Sequence, residues 1–237
     1  MTMSKFFCFG HRGAAGHEPE NTLRSFKKAL SLGVEMVEMD IWTCKTGELV
    51  VMHDNTVNRT TNGKGYVWDL SFEDLRALNA GKGEKIPLLY EVLDLLGKEG
   101  KVNLELKGEG TARPMAKLLE RYAAEKQYNY HNFYISSFNH YLLKEARTLF
   151  PKDCGIRICP LICGIPIKYA EFAECLGAYS VNIAAEFANE DFVKDAHGRG
   201  MKVFAYVVND IAELARMRSM GVDGIFTDYP DIEVKNK

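Results

Sequence analysis

The sequence has no hydrophobic run long enough to cross a membrane. Its longest uncharged apolar stretch, residues 158–167, has ten residues and contains two prolines, whereas a membrane-spanning helix needs about 20 apolar residues. Near the start, only residues 6–9 form an apolar run, which is too short for the core of a secretory signal peptide. We therefore expect no transmembrane segment and a cytoplasmic location.

An excess of charge of one sign is also absent. Thirty Lys and Arg residues against 32 Asp and Glu residues give a formal net charge of −2. A chain with this balance does not attract nucleic acids or anionic membranes over its whole surface. We expect no nucleic-acid partner, and any phosphate-binding site must be built locally.

Cysteine pairs separated by two residues, which are usual at zinc sites, are absent as well. The six cysteines include Cys159 and Cys163, which flank a segment that contains proline. This arrangement does not resemble a metal knuckle, so we expect reduced thiols.

The sequence does have a regular alternation of short β-rich runs with longer amphipathic stretches along its 237 residues. Repeated alternation of this kind favours a closed (β/α)8 barrel of the TIM type over an open sheet, and such a barrel commonly has about this length. We predict an α/β fold with a single barrel domain over residues 1–237. The predicted strands cover residues 6–9, 36–41, 102–106, 133–136, 155–159, 179–183, 203–207 and 224–226.

Two segments interrupt this alternation. Residues 42–54 form a predicted hairpin at the mouth, with Gly47 in the turn, where a positive φ is easy to adopt. A turn centred between Thr46 and Gly47 would pair position 40 with position 53, and a bulge would shift this by one; either register returns His53 to the mouth. Residues 54–86 are a predicted small subdomain inserted over the same mouth.

Ionisable residues cluster at the ends of three predicted strands, which face the active site in a parallel barrel. Two acids on one strand lie two residues apart and therefore on one face, where burial is costly unless they are paired or metal-bound. A solvated face is the alternative. The residues are His11 and Arg12 after the first strand, Glu38 and Asp40 in the second, and Glu105 and Lys107 at the end of the third.

Together with His53, these side chains can share one pocket. Converging carboxylates make an oxygen-rich site, which suits one divalent cation, Ca²⁺ or Mg²⁺, and not zinc. Two imidazoles can serve as general acid and base, and an arginine and a lysine can hold a phosphate. This set of groups indicates phosphodiester hydrolysis.

Several short motifs are spread along the chain. They are Gly10-His11-Arg12-Gly13, Pro19-Glu20-Asn21-Thr22, Glu38-Met39-Asp40, His53-Asp54, Arg59-Thr60-Thr61-Asn62-Gly63, Glu105-Leu106-Lys107, Ser137-Phe138, and residues 221–230 near the end. The order of these motifs resembles the glycerophosphodiester phosphodiesterase family. The resemblance covers nearly the whole chain.

The resemblance implies a barrel of the phospholipase-C-like type that uses Ca²⁺ or Mg²⁺. The implied substrate is a small-molecule glycerophosphodiester, which is cleaved to sn-glycerol 3-phosphate and an alcohol. The implied roles are acid/base catalysis for His11 and His53, metal ligation for Glu38, Asp40 and Glu105, and phosphate contact for Arg12 and Lys107.

Tyr206 departs from the family pattern. The family often has Trp-Thr-Val-Asn where this chain has Tyr206-Val207-Val208-Asn209. We therefore expect Tyr206 to bind substrate and to alter the shape of the glycerol or leaving-group subsite.

Several alternatives stay open from the sequence. Either histidine can be the acid, and attack on phosphorus can come from the glycerol 2-hydroxyl, which gives a cyclic phosphate, or directly from water. A lysophospholipase D-like activity would need an exposed apolar rim, for which the insertion offers Tyr66, Val67, Trp68 and Phe72. A non-catalytic phosphate-binding barrel is the other alternative. A homo-oligomer is compatible with the sequence.

Overall fold

Most strand residues of this chain are buried, as expected for parallel strands that are covered on both faces. The structure is a computed structural model that describes residues 6–234. Its strands are β1 (Phe7–Gly10), β2 (Met36–Thr43), β3 (Leu49–Val51), β4 (Lys101–Leu106), β5 (Phe133–Ser137), β6 (Arg157–Ile162), β7 (Ser180–Ala184), β8 (Lys202–Tyr206) and β9 (Gly224–Thr227).

The strands close into a barrel. Their order is β1-β9-β8-β7-β6-β5-β4-β2-β3, and a further parallel pairing of β1 with β2 joins the two sides. Only β3 pairs antiparallel among the described strands, as the return arm of a hairpin with β2. The predicted (β/α)8 barrel with a hairpin at its mouth is therefore confirmed.

Helices lie between most of the barrel strands, and the longer ones bury part of their surface. The first begins after Thr22, whose side chain accepts a hydrogen bond from the Ser25 backbone N–H, as a helix N-cap does. The helices are α1 (Leu23–Ser31), α2 (Phe72–Ala77), α3 (Leu89–Leu96), α4 (Ala112–Lys126), α5 (His140–Thr148), α6 (Glu190–Gly198), α7 (Ile211–Ser219) and α8 (Asp231–Val234). No helix within residues 6–234 is both long enough and apolar enough to cross a membrane.

The fifth barrel strand lies later in the chain than residues 155–159, so that boundary prediction is wrong. Gly155 has φ +98°, a left-handed conformation that does not fit a strand. The strand β6 begins at Arg157 and continues through Pro160 to Ile162.

The hairpin register differs by one residue from the one centred between Thr46 and Gly47. Ile41 pairs with Val51, and Thr43 pairs with Leu49, so position 40 lies opposite position 52. The loop has an odd number of residues between its paired ends, and Gly47 adopts φ +99°, as in hairpins that close with a left-handed glycine. The alternative register, shifted by one, is the one that forms.

The segment between β3 and α3 contains the region 54–86 that the sequence predicts as an inserted subdomain. It packs around its own apolar cluster together with the hairpin, and this cluster includes Val57, Val67 and Leu75. The division of the chain into one barrel domain with an inserted subdomain stays a prediction.

An aromatic cluster fills the barrel interior below the mouth. Phe9 is fully buried and stacks on Phe226 with ring centroids 4.4 Å apart. It also contacts the rings of Phe204 and Tyr134 at 5.1 and 5.6 Å. This apolar floor separates the polar side chains at the mouth from the opposite end of the barrel.

We expect Phe9→Ala to destabilise the fold by about 3–5 kcal/mol, because it removes a large side chain from a site that cannot collapse. The free energy of unfolding from denaturant titration measures this effect. Ile211→Ala is the control: its side chain is 62% exposed, so its effect should stay within about 0.5 kcal/mol. Equal effects of the two substitutions would contradict the tight packing of the floor.

Candidate active site

Side chains at the carboxyl ends of the barrel strands enclose a cavity of about 230 Å³. Seven of the eight residues that the sequence singles out line it, and the eighth, Asp40, is buried in contact with them. The lining residues are His11, Arg12, Glu38, His53, Asn103, Glu105, Lys107, Ser136, Phe138, Leu161, Tyr206, Val207 and Phe226.

Strand register brings three carboxylates together. Glu38 and Asp40 lie on the same face of β2, and Asp40 is directly opposite Glu105 on β4. One oxygen from each of the three lies within 4.8 Å of the others. Burial, and then the neighbouring carboxylates, raise the pKa of Glu38 well above its usual value. Burial and the charge on Asp40 likewise raise the pKa of Glu105 to about 7, although Lys107 opposes this shift.

The carboxylate cluster fits a divalent cation. Glu38 Oε1 and Asp40 Oδ1 are buried and accept no hydrogen bond from the described residues, which is unfavourable for carboxylate oxygens unless a ligand satisfies them. An oxygen-only donor set of this kind suits Ca²⁺ or Mg²⁺. Glu38, Asp40 and Glu105 are therefore the residues that could hold the ion.

Two cations flank the cluster. Lys107 Nζ lies 2.7 Å from Glu105 Oε1 and 3.5 Å from Asp40 Oδ1. Arg12 Nε lies 3.4 Å from Asp40 Oδ2. Burial alone would raise the pKa of Asp40, but Lys107 and Arg12 together hold it below its usual value. Arg12 Nε is buried and makes no hydrogen bond with the described residues, so it can donate to an anionic ligand.

His11, just after β1, is held by an aspartate from the other end of the chain. Its Nδ1 lies 2.7 Å from Asp228 Oδ1. The pKa of Asp228, which burial alone would raise, is lowered by its hydrogen bond with His11. An ionised carboxylate only accepts, so Nδ1 carries a proton and Nε2 remains for the pocket. Nε2 lies 4.0 Å from Glu38 Oε2.

His53, just after the hairpin, is held in the same way by its neighbour in sequence. Its Nδ1 lies 2.7 Å from Asp54 Oδ1, which again leaves Nε2 for the pocket. Burial lowers the pKa of His53, and this outweighs the opposing charge of Asp40. The structure therefore brings both predicted imidazoles to one cavity with matching orientation of the proton on each ring.

Tyr206 lines the cavity from the end of β8. Its hydroxyl donates to the backbone carbonyl of Ile162 at 2.6 Å. The hydroxyl that distinguishes this residue from the family's tryptophan therefore bonds to the end of another barrel strand, β6. Its ring packs edge-on against Phe138, with centroids 5.9 Å apart. Tyr206 and Phe138 thus form an aromatic wall of the cavity, and Lys107 Nζ lies 6.0 Å from the centre of the Phe138 ring.

Sequence reasoning missed the partners that orient these groups. Asn21 looks like part of a helix cap in the sequence, yet its Nδ2 donates to Asp40 Oδ2 at 2.8 Å. Asp228 has no role assigned from the sequence. The closure of the barrel is a signal that could have found Asp228. The first and last strands pair, with Gly10 opposite Thr227, so the residues that follow them, His11 and Asp228, are neighbours at the mouth.

Comparison with known proteins gives consistent matches over almost the whole chain. A model of the glycerophosphoryl diester phosphodiesterase family matches residues 11–232. A protein of Caldanaerobacter subterraneus subsp. tengcongensis named glycerophosphodiester phosphodiesterase is 38% identical over 239 residues, which cover 96% of each chain. A glycerophosphodiester phosphodiesterase of Bacillus subtilis is 30% identical and covers 100% of this chain and 88% of its own.

Solved structures share the same fold. An Oleispira antarctica phosphodiesterase in complex with the product sn-glycerol-3-phosphate superimposes with a TM-score of 0.86 at 29% identity, covering 97% of this chain and 95% of its own. A glycerophosphodiester phosphodiesterase from Thermotoga maritima has a TM-score of 0.80 at 27% identity and covers 98% of each chain.

Glu38→Gln should weaken cation binding while preserving the fold, because it keeps the size of the side chain and removes one ligand charge. Without divalent cations the variant should be at least as stable as the wild type, since it relieves repulsion among the three carboxylates. A cation at 100 times its Kd should stabilise the wild type by about 2.7 kcal/mol, or roughly 5–10 °C in Tm.

The measurement is the Tm of both proteins with and without Ca²⁺ or Mg²⁺. Glu186→Gln, which changes an exposed acid after β7, is the control and should gain as much as the wild type. Equal gains for Glu38→Gln and the wild type would show that the carboxylate cluster does not hold the ion.

Proposed function

The chain belongs to the glycerophosphoryl diester phosphodiesterase family, and on this basis we propose that it hydrolyses glycerophosphodiesters to sn-glycerol 3-phosphate and an alcohol. It is a phosphodiester hydrolase, like its relative that is 38% identical over 96% of the chain. The observation that carries the proposal is the pair of aspartate-held imidazoles in one cavity with an acidic cluster. The proposed substrate is a small molecule, and a homo-oligomer stays a prediction.

The proposal includes one divalent cation, Ca²⁺ or Mg²⁺, held by Glu38, Asp40 and Glu105. When bound, the ion supplies positive charge that polarises a phosphoryl oxygen and offsets the negative charge that develops in the transition state. The three carboxylates come from two adjacent strands, so their positions are set by the most rigid part of the fold. Carboxylates on a rigid sheet need little rearrangement on binding, which favours affinity.

Arg12 and Lys107 bind the phosphate in this proposal. A phosphodiester is an anion, and both cationic side chains line the cavity. Nε of Arg12, which makes no hydrogen bond with the described residues, supplies a directed donor, and the ammonium group of Lys107 supplies a compact charge. Tyr206 and Phe138 form the apolar wall against which the glycerol or the leaving group packs.

We assign His53 as the base and His11 as the acid for the first step. The pKa of His53 is lowered by burial, which favours the neutral imidazole that can take a proton. His11 Nδ1 is held by Asp228 at 2.7 Å, and its Nε2 lies 4.0 Å from Glu38 Oε2 at the cavity, where it can protonate the leaving group. His53 removes the proton of the glycerol 2-hydroxyl, whose oxygen attacks phosphorus, while His11 protonates the departing alcohol.

The second step reverses these proton transfers. His11, now neutral, takes a proton from the water that attacks phosphorus, and His53 returns its proton to the 2-oxygen as the ring opens. Atoms balance: one water is consumed, and glycerol 3-phosphate and the alcohol are released. Direct attack by water is the alternative. Detection of a cyclic glycerol phosphate supports the two-step route, and full turnover of substrates that lack the 2-hydroxyl would reject it.

Replacing either histidine with alanine should lower kcat by about 10²–10⁴, the usual contribution of general acid–base catalysis. Release of glycerol 3-phosphate from a panel of head groups, with Ca²⁺, Mg²⁺ or Mn²⁺ supplied, measures the activity. On a substrate with a p-nitrophenyl leaving group, His11→Ala should recover most of its rate because that group needs little protonation. His53→Ala should not recover.

His17→Ala is the control, because His17 pairs with Asp231 outside the cavity; it should change kcat little. Recovery by His53→Ala instead would exchange the two roles, and equal losses on both substrates would reject the division of labour. If wild-type protein with any of these metals hydrolyses no glycerophosphodiester, the non-catalytic phosphate-binding barrel becomes the better interpretation.

A second candidate substrate is a monoacylated glycerophosphodiester. A groove next to the cavity shares two of its residues, Phe138 and Leu161, so an apolar surface continues outward from the phosphate site. The groove is lined by Phe138, His140, Leu161, Ile162, Cys163, Gly164, Ile165 and Pro166. It can take the hydrocarbon chain of a lysophospholipid whose phosphate binds at Arg12 and Lys107.

This groove is not the rim that the sequence indicates. Val67 is fully buried, and Phe72 is partly buried against the cluster around it, so Val67 offers no surface to a ligand and Phe72 offers only part of its own. Tyr66 and Trp68 are exposed and stack on each other with centroids 4.8 Å apart, but they do not line the groove.

We expect Ile165→Asp to lower kcat/KM for short-chain lysophosphatidylcholine below its micelle concentration by about 5–30-fold, which corresponds to losing about 1–2 kcal/mol of apolar contact. Its kcat/KM for glycerophosphocholine should not change. The matched control is Ile211→Asp, also an exposed isoleucine but outside the groove. No turnover of the acylated substrate by the wild type would reject this candidate and leave the first one standing.

A further inference from the structure

Arg59, in the segment between β3 and α3, contacts two carboxylates at once. Its Nη1 and Nη2 donate to Glu20 Oε2 and Oε1, each at 2.8 Å. Its Nε and Nη2 donate to Asp54 Oδ2 and Oδ1, also at 2.8 Å each. The guanidinium thus makes a bidentate contact with each carboxylate, the strongest and most directional geometry that arginine offers.

Each of these carboxylates also holds a residue of the proposed active site. Glu20 Oε1 accepts a hydrogen bond from Arg12 Nη1 at 2.8 Å, and Asp54 Oδ1 accepts one from His53 Nδ1 at 2.7 Å. A continuous chain of charged contacts therefore runs from Arg12 through Glu20, Arg59 and Asp54 to His53.

We propose that Arg59 is a positioning residue that fixes Arg12 and His53 relative to each other, and so aligns the bound phosphate with the base that acts beside it. The inference rests on the proposed function, because it assumes that Arg12 binds phosphate and His53 transfers protons. Arg59 itself does not line the cavity, so it acts through the two carboxylates.

The need for such a residue follows from where the two groups are attached. Arg12 follows β1, whereas His53 follows β3, which pairs with β2 and with no other described strand. A carboxylate with a single partner can still rotate about its side-chain bonds. Because Arg59 engages both oxygens of Asp54 and both of Glu20, it fixes the plane of each carboxylate and thereby the direction of each bond to Arg12 and His53.

Arg59 also stabilises the ionised form of Asp54. The hydrogen bonds from Arg59, followed by that from His53, hold the pKa of Asp54 far below its usual value. The ionised carboxylate accepts the hydrogen bond from Nδ1 of His53. Nε2 then remains the ring nitrogen that faces the substrate.

A simple surface ion pair is the competing interpretation. The Arg59 side chain is 49% exposed, and exposed pairs typically contribute only about 0–1 kcal/mol to stability. Arg24 offers a matched comparison: its side chain is also 49% exposed, and it contacts both oxygens of Glu18 through Nε and Nη2 at 2.6 and 3.1 Å. Glu18 also pairs with Lys82, and none of these three lines the cavity.

The first experiment compares Arg59→Gln with Arg24→Gln. We expect Arg59→Gln to lower kcat for glycerophosphodiesters and raise KM, with kcat/KM falling by about 10–100-fold, as is usual when a partner that orients an active-site ligand is lost. Arg24→Gln should leave both constants unchanged, and the two variants should have similar Tm values. Arg59→Lys should recover only part of the loss, because an ammonium group cannot make two bidentate contacts.

A double-mutant cycle separates the two arms of the chain. Asp54→Asn should mainly lower kcat, and adding Arg59→Gln to it should lower kcat little further. Glu20→Gln should mainly raise KM, and adding Arg59→Gln should raise KM little further. Fully additive losses in both backgrounds, or equal effects of Arg59→Gln and Arg24→Gln on activity, would overturn the proposal.

One further measurement does not depend on turnover. ¹⁵N NMR of the His53 ring in the resting full-length protein should show a proton on Nδ1 in the wild type and in Arg24→Gln, and a shift toward the Nε2–H form in Arg59→Gln. An unchanged ring in Arg59→Gln would reject the positioning role. If the wild type lacks hydrolytic activity but the ring shifts as expected, the contact chain stands and the proposed function fails.

Discussion

The mutual repulsion of three buried carboxylates at the barrel mouth is the constraint on which the rest of this site depends. Glu38, Asp40 and Glu105 lie close enough to share one ion, and burial removes the water that would otherwise screen them. The repulsion in such a cluster is relieved by nearby positive charge or by proton uptake, and the pKa values of Glu38 and Glu105 are raised accordingly. Lys107 and Arg12 supply part of the positive charge. Glu38 Oε1 and Asp40 Oδ1 accept no hydrogen bond from the described residues, which marks where a cation would complete the balance.

The barrel gives this constraint a rigid frame. The carboxylates stand on central strands that are hydrogen-bonded on both sides, and the aromatic floor around Phe9 lies directly beneath them. The carboxylates therefore cannot reduce their repulsion by moving apart, and the aromatic floor blocks any movement toward the solvent at the opposite end of the barrel. The repulsion among the carboxylates therefore persists until a cation binds, and the site needs little rearrangement at that point, which is a form of preorganisation. The loops, in contrast, contribute residues such as Arg59 that orient other side chains, and they contribute none of the three carboxylates proposed to hold the cation.

Much of this site could be predicted from the sequence because alternation along a strand is local information. Glu38 and Asp40 share a face for the same reason that any residues i and i+2 do, and a parallel barrel sends every strand end to one mouth. The orienting partners could not be found that way. Asp228 meets His11 across 217 positions, and Arg59 meets Glu20 across 39. Contacts of this kind depend on which strands become neighbours and on how the inserted segment folds back, which no local pattern records.

The one-residue shift in the hairpin register has consequences for the chemistry of the site. In the observed register Met52, not His53, lies opposite Asp40 and donates its N–H to that residue's carbonyl at 3.0 Å. His53 therefore stands just beyond the paired strands, where Trp42 Nε1 donates to its carbonyl oxygen at 3.2 Å and its ring is free to turn toward Asp54. In the other register its backbone would be part of the ladder, and its side-chain direction would be set by the pleat. Because the turn has an odd number of residues, His53 lies outside the paired strands. The orientation of its imidazole is therefore set by the hydrogen bond with Asp54 and not by the alternation of side chains along a strand.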